Sequence, residues 1–319
     1  MRIVREIEKY NSSKEPLYLA LGNFDGLHRG HQQLMREAVK QAGCNGGLAA
    51  AFIFEPHPVK VLFPQKDFKL LVAGEMKSEL LEALGLDLVI YNSFSREIAG
   101  WTPEEFVKRV LVDSLAVKAV FVGFNHSFGH KGAGTPLMLQ ELGNRYGFKT
   151  YIIPPVKYHD KVISSTLIRQ AIEAGDIELA NHMLGYYFVV EGQVIAGEKR
   201  GREMGFPTAN LGIHPDLVTP GKGVYAAWGQ VGEKMIKAVV NIGSKPTFHP
   251  DYPVVIEAHL LDWAGDLYGG RLRLHFTRKL RDERKFNGLD ELAQQIARDR
   301  NQASELLDEC RPSGPAFTF

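Results

Sequence analysis

Two histidines lie where an apolar run gives way to a helical pattern near the start of the chain. Leu17 to Leu21 is typical of a buried strand, and Gln32 to Gln41 has helical spacing with Gly43 as a stop. His28 and His31 are three residues apart, so both imidazoles can project from one side of the first helical turn. Because a helix N-terminus offers unpaired N–H groups and partial positive charge, the turn favours phosphate chemistry. The same spacing also fits an ordinary turn with two surface histidines.

Composition narrows the class of protein. With 319 residues, 45% of them hydrophobic, the chain is long enough for two soluble domains. Its net charge of +1 gives no global attraction for nucleic acid or anionic membrane. It has no apolar run long enough for a membrane span and no secretory signal at its start, and Cys44 and Cys310 form no metal-type pair. We therefore expect a cytoplasmic protein with free thiols and no structural zinc.

The pattern of apolar residues changes near residue 185. Before it, strand-like runs alternate with helical patterns, which predicts βαβ units and a parallel sheet. Thr102-Pro103-Glu104-Glu105 is a strong helix start, with a threonine cap and a capping-box glutamate. Beyond Gly185, short strands separated by glycine and proline predict a small antiparallel barrel or sandwich, with a terminal helix over about Leu289 to Leu307. We predict an α/β domain at residues 1–185 and a β domain at 186–319.

The whole segment Gly22 to His31 resembles the G-x-F-D-x-x-H-x-G-H element of adenylyl-transferring nucleotidyltransferases. That resemblance implies a Rossmann-like domain in which His28 and His31 stabilise charge on nucleotide phosphates, without a covalent intermediate. Such transfers depend mainly on positioning and electrostatic stabilisation. The nucleotide-binding positions implied within the element are Gly22, Phe24, Asp25 and Gly30.

Two later segments resemble further parts of the same nucleotide site. Ile163 to Arg169 matches an I-S-S-T-x-I-R element, which implies nucleotide contacts. Taken alone, the serines there could simply cap a helix. Asn125 stands where the family has a nucleotide-contacting Asn or Asp, and His126 stands where an aromatic residue is usual. The contacts implied by these two segments are Asn125, Ser164, Ser165, Thr166 and Arg169.

A flat aromatic ligand would suit a set of apolar side chains in the first domain. Phe54-Glu55-Pro56-His57-Pro58 resembles a family segment that lines the flavin side of the pocket. A core position for Phe54 fits the sequence as well, and His57 between two prolines is expected to be structural. The flavin contacts predicted here are Phe54, Pro56, Pro58 and Phe128.

The stretch from Gly197 to Asn210 places glycines among basic residues, as in a phosphate loop, although it lacks Walker A spacing. Its Gly-Phe-Pro-Thr-Ala-Asn end resembles riboflavin kinases, with Ala196 where many relatives carry histidine. The resemblance implies that Thr208 and Asn210 supply neutral oxygens to Mg²⁺, an ion that prefers oxygen ligands. The nucleotide contacts implied in the loop are Gly201, Arg202 and Gly205.

Glu257 lies in a strand-like run that resembles the E-x-H-L-L strand of riboflavin kinases, whose glutamate is the catalytic base. Taken alone, a glutamate in a strand is usually on a solvent face. Arg281, in the run Arg281 to Phe286, resembles a flavin-side contact, although its alternating charges also fit a plain solvated patch.

Over nearly its whole length the sequence resembles the bacterial bifunctional riboflavin kinase/FAD synthetase family. That resemblance implies two activities, riboflavin to FMN and FMN to FAD, with ATP as co-substrate and Mg²⁺ as cofactor. Two alternatives stay open: a riboflavin kinase with an unreactive nucleotide-binding domain, and a regulator that senses flavin or RNA. Near-neutral charge argues against nucleic acid as a partner, and the sequence does not reveal self-association.

Overall fold

The computed structural model of the chain describes residues 1–11, 15–196, 206–243 and 254–310. The chain divides into two units, Met1–Ser165 and Thr166–Phe319. This division assigns to the second unit the two short helices that precede residue 185. The boundary predicted at 185/186 for the two functions therefore stays a prediction.

A six-stranded sheet organises the first unit, and every neighbouring pair in it is parallel. The Rossmann-like α/β architecture is therefore confirmed. The strand order is β1-β4-β3-β2-β5-β6, followed by a small hairpin of β7 and β8. The strands are β1 (Arg2–Arg5), β2 (Leu17–Leu21), β3 (Leu48–Phe54), β4 (Leu88–Asn92), β5 (Val117–Gly123), β6 (Lys149–Ile153), β7 (Lys157–Tyr158) and β8 (Lys161–Val162).

Helices lie between these strands along the chain, and the last two follow the hairpin. The capping box predicted at Thr102 is present, since its hydroxyl accepts from the Glu105 N–H and the Glu105 carboxylate accepts from the Thr102 N–H. The stop predicted at Gly43 is wrong, because α1 continues to Cys44 and Asn45 caps it. The helices are α1 (Arg29–Cys44), α2 (Pro58–Leu62), α3 (Gly74–Ala83), α4 (Arg96–Ala99), α5 (Pro103–Phe106), a π-helical continuation (Val107–Ser114), α6 (Pro136–Tyr146), α7 (Ser165–Ala174) and α8 (Ile177–Leu184).

Strand β2 lies at the centre of this sheet, between β3 and β5. From β2 the chain adds β3 and then β4 on one side, and afterwards β5 and β6 on the other. The chain therefore leaves β2 toward one side of the sheet and leaves β5 toward the other. The crevice between these two connections lies at the carboxyl edge of the sheet, where open α/β sheets bind ligands. The histidine turn follows β2 and the Asn125 loop follows β5, so the fold places both predicted nucleotide segments at this crevice.

The second unit contains a closed barrel in which every neighbouring pair is antiparallel. Its order is β10-β13-β12-β11-β14-β9, and the terminal helix α9 packs Ala303 and Leu307 against Trp228 and Val239. The barrel and terminal helix are thus confirmed. The elements are β9 (Phe188–Ile195), β10 (Ala209–Ile213), β11 (Gly223–Val231), β12 (Lys234–Gly243), β13 (Val255–Leu260), β14 (Arg271–Arg281) and α9 (Leu289–Glu309).

Among the described residues, no helix combines the length and apolar character needed to cross a membrane.

Candidate functional sites

The turn between β2 and α1 holds its backbone in an uncommon conformation. Phe24, Gly26 and Leu27 all have positive φ, at 48°, 79° and 42°. For residues other than glycine this conformation is costly, and such positions concentrate at functional sites. Phe24 and Leu27 are buried, so core packing fixes the turn in this shape.

His28 and His31 lie against each other at the N-terminus of α1. His28 is the N-cap, and its Nδ1 accepts from the backbone N–H of His31 at 3.4 Å. The two rings stack with centroids 3.7 Å apart, as the three-residue spacing predicted. Gly30 leaves room for this arrangement, since a Cβ there would lie 3.2 Å from His28 Cε1.

Burial keeps both imidazoles neutral near pH 7. It lowers the pKa of His28 to about 4. Burial, followed by the charges of His28 and Lys77, lowers the pKa of His31 well below its ordinary value. Because His28 Nδ1 accepts a hydrogen bond, the neutral ring carries its proton on Nε2. His31 Nδ1 is buried and has no hydrogen-bond partner within the described part of the chain. An anion bound here would favour protonation and raise both pKa values.

Asp25, predicted to contact nucleotide, joins three segments of the first unit. Its Oδ1 accepts from the Leu71 N–H at 2.8 Å, and its carbonyl oxygen accepts from Ser165 Oγ at 2.8 Å. The side chain is buried. Asp25 therefore holds Ser165 and the segment leading to α3 against the histidine turn.

Lys77 is a basic residue of this site that the sequence interpretation missed. It extends from α3, and its Nζ donates to the carbonyl oxygen of Asn23 at 2.7 Å. Burial lowers the pKa of Lys77 to about 8, against the opposing effect of the Asp25 and Glu55 carboxylates. A lysine beside the apolar face of a helix is usually a solvated residue, so only its tertiary position reveals it.

The remaining predicted nucleotide residues lie on separate elements. Gly22 directly follows β2, and Asn125 is exposed in the turn after β5. Ser164 precedes α7 and Ser165 begins it. Thr166 and Arg169 follow on the part of α7 that belongs to the second unit.

The predicted flavin side of the first unit contains an aromatic cluster. Phe54 and Phe128 both pack on Phe106, with ring centroids 6.2 and 5.9 Å away. Phe128 is buried, whereas Phe54 is only partly buried at the edge of the core. Pro56 is exposed. Pro58 is the first residue of α2, which His57 caps through Nδ1.

His126 lies beside this aromatic cluster, with its ring nearly parallel to that of Phe128 at 5.8 Å. Burial lowers its pKa to about 4. Its Nε2 is buried and lacks a hydrogen-bond partner among the residues that the structure describes. The ring is therefore neutral near pH 7.

In the barrel, three polar residues form one row across neighbouring strands. Glu257 of β13 is directly opposite Asn210 of β10 on one side and Asn241 of β12 on the other. Directly opposite residues of antiparallel strands project from the same face of the sheet. Asn210 is buried, and Thr208 precedes it by two residues at the entry to β10. Gly201, Arg202 and Gly205 of the predicted phosphate loop lie outside the described residues.

Arg281 ends β14 in a buried ion pair with the terminal helix. Its Nε lies 3.0 Å from both carboxylate oxygens of Asp299, and its Nη2 lies 2.8 Å from one of them. Gln295 donates to the same carboxylate at 2.7 Å, and Asp299 is 2% exposed. This pair fixes the end of β14 to α9, so the guanidinium of the predicted flavin contact is already oriented by a carboxylate.

Comparison with known proteins assigns each unit to a family. The FAD synthetase family model matches residues 10–167, and the riboflavin kinase family model matches residues 184–307. The chain is 37% identical to the bifunctional riboflavin kinase/FMN adenylyltransferase of Bacillus subtilis (strain 168), over 92% of this chain and 93% of that protein. The chain belongs to the bifunctional riboflavin kinase/FMN adenylyltransferase family. A second member, from Escherichia coli (strain K12), is 36% identical over 98% of this chain and 100% of its own length.

A solved structure has a similar fold. A crystal structure titled a macrolide-efflux protein from Streptococcus pneumoniae has a TM-score of 0.87 and 27% sequence identity, and the likeness covers 95% of this chain and 98% of that one. The arrangement of a parallel sheet followed by a closed barrel is therefore also found in a solved structure, although its title names an efflux protein.

Proposed function

We propose that this chain is bifunctional: its second unit phosphorylates riboflavin to FMN, and its first unit adenylylates FMN to FAD. The observation that carries this proposal is the presence of both family matches, in this order, on a parallel sheet and on a closed barrel. Each matched region contains its own group of predicted functional residues, except for Arg169, which lies between the two regions. We further propose that the functions divide at 185/186 and that the protein is cytoplasmic.

In adenylyl transfer, an oxygen of the FMN phosphate attacks the α-phosphorus of ATP. A new P–O bond forms, the bond to the bridging oxygen breaks, and pyrophosphate leaves. The FMN phosphate is already anionic, so no base is required. The imidazole N–H groups of His28 and His31 donate to phosphate oxygens, and charge developing on those oxygens strengthens these bonds. Gly22, Phe24 and Asn125 are proposed to surround the nucleotide.

In the kinase reaction, the ribityl 5′-hydroxyl attacks the γ-phosphorus of ATP, and ADP leaves. Glu257 accepts the hydroxyl proton as the new P–O bond forms. Its position between two asparagines supports this role, because side-chain amides can orient a carboxylate without neutralising it. The base and the proposed metal contact Asn210 therefore lie on the same face of adjacent strands.

The donor set beside Glu257 fits Mg²⁺. Thr208 and Asn210 offer a hydroxyl and an amide oxygen, which suit an ion that shares its shell with water and substrate phosphates. When bound, Mg²⁺ would supply neutralisation of phosphate charge. Thr208→Ala or Asn210→Ala is expected to weaken kinase activity, and raised Mg²⁺ is expected to restore part of it.

The decisive experiment is separate incubation with riboflavin and with FMN, each with ATP and Mg²⁺, followed by flavin chromatography. We expect FMN and then FAD in the first reaction, and FAD in the second. Failure to form FAD from FMN would support the alternative of a kinase with an unreactive first unit. Absence of both products would overturn the proposal.

Single substitutions should impair one activity and leave the other unchanged. Glu257→Gln is expected to lower FMN formation by ~10²–10⁴-fold, the usual contribution of base catalysis, and to leave FAD formation unchanged. Glu233→Gln, an exposed carboxylate in the turn after β11, is the matched control. Near-normal kinase turnover in Glu257→Gln would show that this residue is not the base. Conversely, His28→Ala is expected to lower FAD formation by ~10²–10³-fold and spare the kinase.

A further inference from the structure

The histidine turn contains two stacked imidazoles and the ammonium group of a lysine from a different helix. We propose that Lys77 binds a phosphate oxygen of the nucleotide and supplies a full positive charge to the adenylyl-transfer site. This inference rests on the proposed function of the first unit. The proposed mechanism otherwise assigns charge stabilisation to His28 and His31 alone.

The position of Lys77 is fixed by a chain of contacts. Asp25 accepts from the Leu71 N–H and so secures the segment that enters α3 beginning at Gly74. From the first turn of α3, Lys77 reaches back to the Asn23 carbonyl at 2.7 Å. An ammonium group has three N–H donors, and this bond uses one of them. The backbone oxygen therefore orients the group while leaving donor capacity for a ligand.

The acidic groups that act on Lys77 have other strong partners. Asp25, in the turn before α1, accepts the Leu71 N–H at 2.8 Å. Glu55, at the end of β3, pairs with Arg5 Nη1 at 2.6 Å. Both carboxylates act on Lys77 through their charge. The third facing group is His31 of α1, whose own pKa is lowered by burial and then by the charges of His28 and Lys77.

This arrangement leaves the Lys77 ammonium with donor capacity beyond its one hydrogen bond to the Asn23 carbonyl, beside two carboxylates that stabilise its charge. Two neutral imidazoles contribute dipoles, while the ammonium contributes a full charge in a partly buried site. His31 Nδ1 has no partner in the described structure, which marks a polar position for a ligand to complete. A phosphate oxygen would satisfy both groups. It would also stabilise the charged form of Lys77, so phosphate binding and protonation should reinforce each other.

A simpler role for Lys77 would be to tether the Asn23 carbonyl without contacting the substrate. Lys77→Arg separates the two possibilities, because a guanidinium keeps its charge at every accessible pH. In the wild type, kcat/KM for FAD formation should fall as pH rises through about 8, since Lys77 then loses its proton. In Lys77→Arg this decline should move to higher pH. If Lys77 only held the Asn23 carbonyl, the wild type and Lys77→Arg would have the same pH profile.

The experiment uses the full chain and compares wild type, Lys77→Met, Lys77→Arg and Lys40→Met, an exposed lysine on α1. Pyrophosphate binding by calorimetry is measured together with formation of FAD and FMN. Lys77→Met should weaken pyrophosphate binding and lower FAD formation by ~10²–10³-fold, as for loss of one charge-stabilising donor. FMN formation should not change, and Lys40→Met should match the wild type.

Pyrophosphate affinity like that of the wild type in Lys77→Met would overturn the inference, as would an unshifted pH profile in Lys77→Arg. If Lys77→Met does not fold, the pH profile of Lys77→Arg decides. If the wild type forms no FAD, the proposed function fails, and the pyrophosphate measurement still tests the anion site.

Discussion

Protonation of buried histidines, among them His28 in the first unit and His275 in the second, should lower the stability of both units in mild acid. His28 is 6% exposed and His275 is 3% exposed. Burial lowers the pKa of each to about 4 from an ordinary value of 6.5. The unfolded chain takes up these protons near pH 6.5, so below that pH it binds more protons than the folded chain. Each neutral histidine therefore makes its full contribution to the free energy of unfolding above about pH 6.5. This contribution decreases as the pH is lowered and levels off below about pH 4, where both states are protonated.

The size of this effect follows from the two pKa values. Linkage gives a loss of about 2 kcal/mol for each histidine at about pH 5, rising to about 3.4 kcal/mol once both states are protonated. Since domains are stable by only about 5–15 kcal/mol, the loss is a large fraction of the total. His275→Gln removes the titration and keeps a polar side chain beside Gln230, which now lies 3.0 Å from His275 Nε2.

Differential scanning calorimetry between about pH 7.5 and about pH 4.5 measures this loss for each unit. His28→Gln should partly flatten the acid decline of the first unit only, because His31 and His126 still contribute there. His275→Gln should partly flatten that of the second unit only, because His259 still contributes there. His159→Gln, at an exposed position, should leave both declines unchanged. Melting temperatures that do not fall in acid, or the same flattening in His159→Gln, would refute this reasoning.

Two further predictions concern the second unit. A fragment beginning at Thr166 should melt at a higher temperature than one beginning at Tyr186. The reason is that α8 contributes side-chain hydrogen bonds to β9 and to the carbonyls of β14. Equal melting curves would show that α8 is dispensable for the stability of this unit. Asp299→Leu should lower the stability of this unit to urea by roughly 3–5 kcal/mol, since it leaves the Arg281 charge without its partner. Arg281→Leu combined with Asp299→Leu should recover much of that loss, and no recovery would mean that the carboxylate acts independently of Arg281.

Strand and helix periodicity was sufficient to predict most of the fold, and its failures have local causes. β10 follows Phe206-Pro207, where proline and nearby glycines hide the alternation of a strand. β1 has four residues, of which only Val4 is buried, so its apolar signal is weak. Gly43 did not end α1, because the cost of one glycine in a helix, about 1 kcal/mol, is smaller than the gain from packing.

The candidate sites show a different limit. The three-residue spacing predicted that His28 and His31 could project from one side of the first helical turn, because a helical turn fixes that geometry. Contacts between distant segments could not be predicted in this way. Lys77 reaches the histidine turn only because α3 packs beside it, and Arg281 pairs with a carboxylate 18 residues later on another element.

The row formed by Asn210, Glu257 and Asn241 limits how the barrel can change in evolution. Side chains alternate between the two faces of a strand, so inserting one residue into β13 ahead of Glu257 would turn its carboxylate to the opposite face. Every barrel strand that the structure describes is paired on both sides, so a shift of β13 cannot be absorbed at a free edge. Single insertions and deletions should therefore be tolerated in the turns between strands. Within β10, β12 and β13, by contrast, residues can be substituted, but an insertion or deletion would break the alignment of the polar row.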